Sequence, residues 1–331
     1  MKHITKKLAL LLLPVALYLA LFVGFEPNNY FGLHKTTSSS APIALIRQFR
    51  DAPGEFLILG DSRFAQFDPA LMQAASGRQW QNLAFGGASL KENLDLAQYV
   101  LEHGPDVKEI VFGLSFYTLN AGYDTDRMAG LEATLQNPLA YLLNLEYNIN
   151  MLENLAKWLG WVRQRLCGET SWDWAEAQRE HETGVWQYPE DYTGPDGTVY
   201  PVHTALAVYP AVIAPKCEGW ALSPWFWQLP ALAEACRERG ITFTVVLAPM
   251  ADNVLNEICE PYGIAQAMRG EVLPQLAAWG QEYGFRVLDY EWADRPALDN
   301  DTQFYDGFHL DVVYGLPEWT STLFGALAGG A

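Results

Sequence analysis

Positive charge is scarce in this chain: 21 Lys and Arg stand against 39 Asp and Glu in 331 residues, a formal net charge of −18. An acidic surface repels phosphate backbones and anionic headgroups, which argues against a nucleic-acid partner and for a neutral or weakly charged substrate. Cysteine is scarce too. Cys167, Cys217, Cys236 and Cys259 show no C-x-x-C spacing and no adjacent His cluster, so neither a zinc site nor any other metal is expected. In an oxidising compartment the sequence neighbours Cys167–Cys217 and Cys236–Cys259 suggest two bridges; the alternative is four buried thiols. Internal repeats and sustained low-complexity tracts are absent as well.

What is present begins at the N-terminus. Lys2, Lys6 and Lys7 precede an uncharged apolar run from Leu8 to Phe25. Its length falls within the range of about 17–25 residues that crosses a bilayer as a helix, with the lysines kept cytoplasmic. A cleaved signal peptide needs a shorter apolar core and a small-x-small exit site, whereas this run ends Leu21-Phe22-Val23-Gly24-Phe25. The expectation is a transmembrane helix over residues 1–25, anchoring the chain in the inner membrane. Under either reading the remainder is extracytoplasmic. Residues 26–42, with Thr36-Thr37-Ser38-Ser39-Ser40, read as a linker.

From Ile43 onward, short apolar strands are predicted at 55–60, 79–84, 107–115, 241–248 and 285–290. Helical stretches fall at 68–76, 89–103, 226–239, 261–283 and 311–328. Strand–helix alternation with Val-, Ile-, Leu- and Phe-rich strands predicts an α/β fold, a parallel sheet covered on both faces. Five strands suit a flavodoxin-like order, and such sheets bind ligands beyond the strands' carboxyl ends. Residues 120–225 break the rhythm, with a helical piece near 138–166 and then a stretch rich in Trp172, Trp174, Trp186, Tyr188, Tyr192 and Trp220. That stretch reads as an insertion between the third and fourth strands. Its aromatics fit stacking on sugar faces, or burial in a core.

Three segments carry chemistry. Gly60-Asp61-Ser62 follows the apolar Phe56-Leu57-Ile58-Leu59 and holds a serine at a strand end. Asn82-Leu83-Ala84-Phe85-Gly86-Gly87-Ala88-Ser89 follows the next strand, where glycine amides can face a developing oxyanion, or form a plain turn before a helix capped by Ser89. Near the C-terminus, Asp306-Gly307-Phe308-His309 places a carboxylate three residues before an imidazole. Nucleophile, base and orienting acid are the parts of acyl transfer; Asp306 alone fits helix capping equally well. Arg63, beside the serine, suits either an anionic substrate group or an acidic neighbour. Asp289 suits an alternative acid or a backbone cap.

On these segments the chain resembles the SGNH, or GDSL-like, hydrolase superfamily over about 43–118 and 226–325. The resemblance implies a three-layer sandwich around a five-stranded parallel sheet. It implies Ser62 as nucleophile, His309 as base and Asp306 as its orienting acid, with the amides of Ser62 and Gly87 as oxyanion donors and no cofactor. One departure stands out. The third block of the family ends a strand with Gly-x-Asn-Asp, whereas here Gly113-Leu114 runs into Ser115-Phe116-Tyr117. An oxyanion donor is thereby missing or replaced, with Ser115 or Tyr117 as substitutes; Arg63, Asn82, Ser115 and Tyr117 are the candidate substrate-binding residues.

With the N-terminal run, that departure is similar to membrane-tethered members that acetylate alginate or help D-alanylate teichoic acid. The expected function is therefore a serine esterase or O-acyltransferase working on acyl, most simply acetyl, esters of an exported or cell-surface glycan. A membrane acyltransferase or polysaccharide export proteins are the expected partners. The alternatives are a non-catalytic assembly protein that binds glycan through the same fold, and an esterase of small esters or lipids.

Overall fold

The computed structural model describes residues 2–28, 30–31, 33, 42–167, 191–193, 199–201, 217–300, 302–304, 307–312 and 314–329. The chain divides into two units, a helical one (Met1–Arg47 with Ala129–Gly184) and an α/β one (Gln48–Met128 with Val185–Ala331). The α/β unit is built on β1 (Phe56–Leu59), β2 (Trp80–Asn82), β3 (Glu109–Leu114), β6 (Thr242–Leu247) and β7 (Arg286–Asp289). They form one sheet in the order β2-β1-β3-β6-β7, parallel at every pairing. All five predicted strands are present, trimmed at their ends. The short strands β4 (Asp191–Thr193) and β5 (Val199–Pro201) pair separately as an antiparallel hairpin.

Burial on both faces explains the near-continuous apolar strands. On one face Ile58, Val111 and Val246 meet Phe64, Phe67, Trp319, Leu323 and Phe324. The last three come from the C-terminal helix Leu316–Ala328, which packs beside α4 (Pro69–Ser76). On the other face α5 (Leu90–His103) lies against β1, and the helix Leu229–Glu238 lies against β6. Ends are marked locally: Asp68 caps α4 ahead of Pro69, and Ser89 with Glu92 forms a capping box on α5, each satisfying orphan helix N–H groups.

The helical unit contains α1 (Lys2–Phe25), α6 (Leu131–Gln136), α7 (Pro138–Leu142) and α8 (Leu145–Cys167). The helical piece expected at 138–166 is thus split, and the Asn144 side chain restarts it by accepting from the Tyr147 amide at 3.1 Å. Tyr141 is the buried hub. Its hydroxyl donates to Glu26 at 2.6 Å, and its ring stacks on Tyr30 and meets Phe22 edge-on. The Tyr18 hydroxyl donates to the Leu142 carbonyl at 2.7 Å. Glu26, Asn28 and Tyr30 are therefore packed, which corrects the expectation of a solvated linker beginning at residue 26. Among the described residues no helix is long and apolar enough to cross a membrane. The end of α1 that carries Tyr18 and Phe22 is packed against protein.

The insertion also differs from its expected bounds. Residues 120–128 stay with the α/β unit, and the helical unit takes over at Ala129. The neck is pinned by the Asn120–Leu222 bridge, with Ala121 N–H donating to Ala221 O and Ser223 N–H to Leu119 O, each at 2.8 Å. Trp172, Trp174, Trp186 and Tyr188 lie outside the described residues. Cys217, Cys236 and Cys259 are buried thiols, so neither expected bridge forms. Burial pushes the Cys236 thiol up to about 12.

Candidate active site

Ser62 opens the short helix α3 (Ser62–Ala65) just beyond the carboxyl end of β1. β1 and β3 are neighbours with β2 on the far side of β1, so the strand order reverses between them. That crevice is where open α/β sheets bind ligands. The α3 backbone is held from below: Asp61 caps it by accepting from the Arg63 amide at 2.9 Å, and Phe64 is buried against the sheet. Gly113 makes this seat, because a Cβ there would collide with the edge of the Phe64 ring.

The Ser62 Oγ lies 2.7 Å from His309 Nε2, although the residues are 247 positions apart. Both side chains are half-buried, within reach of solvent. The histidine segment is tied at several points. Phe304 bridges Leu310, Gly307 O accepts from Ala251 N–H at 2.9 Å, and Asp311 N–H donates to Gln303 O at 2.9 Å. Phe308 packs on Phe116 and Tyr117, with ring centroids 5.4 and 5.6 Å apart. A serine hydroxyl in hydrogen-bond contact with an imidazole is the arrangement that activates a nucleophile. Asp306 lies outside the described residues.

Arg63 does not face a substrate. Its guanidinium donates to Glu291 at 2.6 Å, Ser115 Oγ at 3.1 Å, Ala248 O at 2.6 Å and Pro249 O at 2.5 Å. Ser115 is fully buried and donates to Asp61 at 2.9 Å. These two expected substrate-binding residues instead form an interior strut tying the ends of β1, β3, β6 and β7 beneath Ser62. The apolar surroundings require it, since a buried guanidinium persists only when paired and fully hydrogen-bonded. Burial lowers the guanidinium and raises the carboxyl, and their attraction opposes both. Arg63 ends above its ordinary value and Glu291 rises to about 7. Those directions conflict over whether the pair is charged at neutral pH. The hydrogen bonds decide for the charged pair: Glu291 also accepts from the Phe116 amide at 3.2 Å and the Trp292 indole at 2.8 Å, so the carboxylate has three donors to receive.

The Gly86–Gly87 turn follows β2 and opens onto the same end of the sheet. Gly87 adopts φ +65°, a left-handed conformation that glycine takes without a Cβ penalty. Arg127 grips it: Nη1 donates to Gly86 O at 3.0 Å and Nη2 to Gly87 O at 2.7 Å. In a trans peptide the C=O and N–H point oppositely, so holding Gly86 O aims the Gly87 N–H away from Arg127. Neither the Ser62 nor the Gly87 amide makes a hydrogen bond among the described residues. Arg127 is itself fixed by Glu92, which is fully buried and accepts from Arg127 Nε and Nη2, each at 2.9 Å, and from Thr125 Oγ1 at 2.8 Å. Burial alone would raise the Glu92 carboxyl, but the hydrogen bonds from Arg127, Ser89 and Thr125 outweigh it and hold it below its ordinary value.

Asn82 is committed to the backbone: its amide donates to Phe64 O at 2.8 Å and its oxygen accepts from the Ala84 amide at 3.0 Å. Its second N–H and second oxygen lone pair keep capacity for a further partner. Tyr117 is half-buried beside Asp61. Burial, reinforced by the Asp61 charge, raises its phenol well above the usual value. Asp289 accepts from the Glu291, Trp292 and Ala293 amides, which makes it the backbone cap. Trp220 is half-buried and donates its indole N–H to Phe116 O at 2.8 Å. Among the described residues no group of His, Cys, Asp and Glu is arranged to hold a metal ion.

Sequence reasoning missed Arg127, Glu92, Glu291 and Tyr123. Glu92 is signalled by the Ser89-x-x-Glu92 spacing of a capping box, of which only Ser89 was read. Arg127 and Tyr123 sit in a loop with no periodicity to mark it. No family model matches the chain, and no curated protein matches it.

Proposed function

We propose that this protein is a serine esterase or O-acyltransferase in which Ser62 is the nucleophile and His309 the general base. The observation that carries the reading is the 2.7 Å contact between Ser62 Oγ and His309 Nε2 at the switch point of the sheet. His309 Nε2 takes the hydroxyl proton as Oγ adds to an ester carbonyl. The oxyanion faces the Ser62 and Gly87 amides. His309 then gives the proton to the departing alkoxide, leaving an acyl-Ser62 ester. Water or a sugar hydroxyl, deprotonated by the same imidazole, removes the acyl group; Asp306 is assigned to orient the imidazole by resemblance to SGNH enzymes. The membrane-tethered, extracytoplasmic setting and the acylated-glycan substrate rest on the sequence alone, on the Lys-flanked uncharged run Leu8–Phe25 and the Trp- and Tyr-rich insertion, since no helix among the described residues has the length and apolarity of a membrane span.

A fluorophosphonate probe tests the chemistry. Wild type is expected to be labelled at Ser62, Ser62→Ala not at all, and His309→Ala slowed by roughly 10²–10⁴-fold, the usual share of general base catalysis. Wild-type protein left unlabelled would favour the binding-protein alternative. Release of acetate from an acetylated glycan, compared with turnover of short p-nitrophenyl esters, separates the glycan enzyme from a small-ester esterase.

A further inference from the structure

We propose that the Tyr123 hydroxyl is an oxyanion donor of this site, filling the place left without an asparagine after β3. The inference rests on the acyl-transfer reading of Ser62 and His309 and names a third group for it. Ser115, which follows β3 directly, is fully buried and bonded to Asp61 and Arg63, so it does not reach a substrate. Tyr123 comes to the oxyanion turn from the neck of the insertion. A Cβ built on Gly87 would stand 3.1 Å from the Tyr123 Oη, which puts the phenol directly over the glycine whose amide is aimed by Arg127. The Tyr123 ring meets Tyr117 edge-on at 5.5 Å, and its amide is held by Asn120 O at 2.9 Å.

The hydroxyl makes no hydrogen bond among the described residues, and the side chain is half-buried. Because the side chain is only half-buried, the O–H is open to solvent and so to an incoming acceptor. Burial, then the Asp61 charge, push its pKa up to about 12, so the phenol stays protonated and able to donate. In the step proposed, Ser62 Oγ adds to the carbonyl carbon and the C=O π electrons move onto oxygen. Tyr123 donates a hydrogen bond to that oxygen, keeps its proton and forms no covalent bond.

Tyr123→Phe tests the role, since it keeps the ring on Tyr117 and removes only the hydroxyl. Purified full-length protein is assayed with p-nitrophenyl acetate and a fluorophosphonate. The expected result is kcat lowered about 10²–10³-fold, the usual loss for one oxyanion donor, with KM within about twofold and the melting temperature unchanged. Fluorophosphonate labelling should slow in parallel, because its tetrahedral oxygen occupies the same position. Tyr123→Phe reacting at the wild-type rate, or losing only KM, overturns the donor role while leaving the Ser62 reading intact. Wild-type protein inert to both reagents overturns the two together.

Discussion

Arg127→Ala should separate activity from stability. Arg127 holds the carbonyls of Gly86 and Gly87 and is held by Glu92. Its side chain is 41% exposed, so water can replace part of what the substitution removes, whereas the Glu92 side chain is fully buried. Hydrogen bonds to charged groups contribute about 1.5–3 kcal/mol each, and the solvent-facing side chain puts the global cost at about the lower figure. The effect on chemistry should be larger. With its clamp gone the Gly87 peptide can rotate, and a misplacement of about 1 Å in a catalytic group commonly costs about 10²-fold. The expected outcome is kcat/KM for p-nitrophenyl acetate reduced about 100-fold, beside a small fall in the denaturation midpoint. Arg127→Lys, which keeps the charge and loses the planar fork, should recover only part. Acid should act in the same way. The Glu92 carboxyl is held below its ordinary 4.5, so its stabilisation is present above that value and lost as pH falls through the folded value. The clamp should therefore hold at neutral pH and fail only as the pH falls through the folded value, below 4.5, and Glu92→Gln should flatten that stability profile. Arg127→Ala with kcat/KM within twofold of wild type would refute the reasoning.

Two further substitutions test the scaffold under Ser62. Arg63→Ala leaves Glu291 buried without its cation and strips donors from Ala248 O and Pro249 O; removing one partner of a buried pair costs about 3–5 kcal/mol, read as a lower urea midpoint, and an unchanged midpoint would show that the strut does not bear on stability. Gly113→Ala drives a methyl into Phe64, an overpacking that costs about 1–3 kcal/mol and should slow Ser62 labelling by shifting α3, whereas wild-type melting and labelling would show that the ring can move aside.

Much of the fold was legible because strand and helix patterns are local. The runs at Phe56–Leu59, Glu109–Leu114 and Thr242–Leu247 are apolar on both faces and read as buried parallel strands before any partner is known. The cap at Ser89 and the stops at Gly77 and Gly284 are equally local. Less legible was the helical unit. Glu26 and Asn28 look like a polar linker, and their burial rests on the distant Tyr141 hydroxyl together with the local Asn28 and Phe31 amides that Glu26 accepts from. Arg63 was ambiguous for the same reason: beside Ser62 it suits a substrate anion or an acidic neighbour, and only Glu291, 228 positions away, decides for the second.

By itself, the sequence determined the parallel α/β architecture and singled out Ser62 and His309, because periodicity and strand-end motifs are written in neighbouring residues. Only the tertiary structure decided that Ser62 meets His309, that Arg63 and Ser115 face inward, and that Arg127 and Tyr123 attend Gly87. Those relations join segments with no pattern in common, and they arise at the carboxyl ends of the strands, where the strand order reverses and Arg127 meets the Gly86–Gly87 turn.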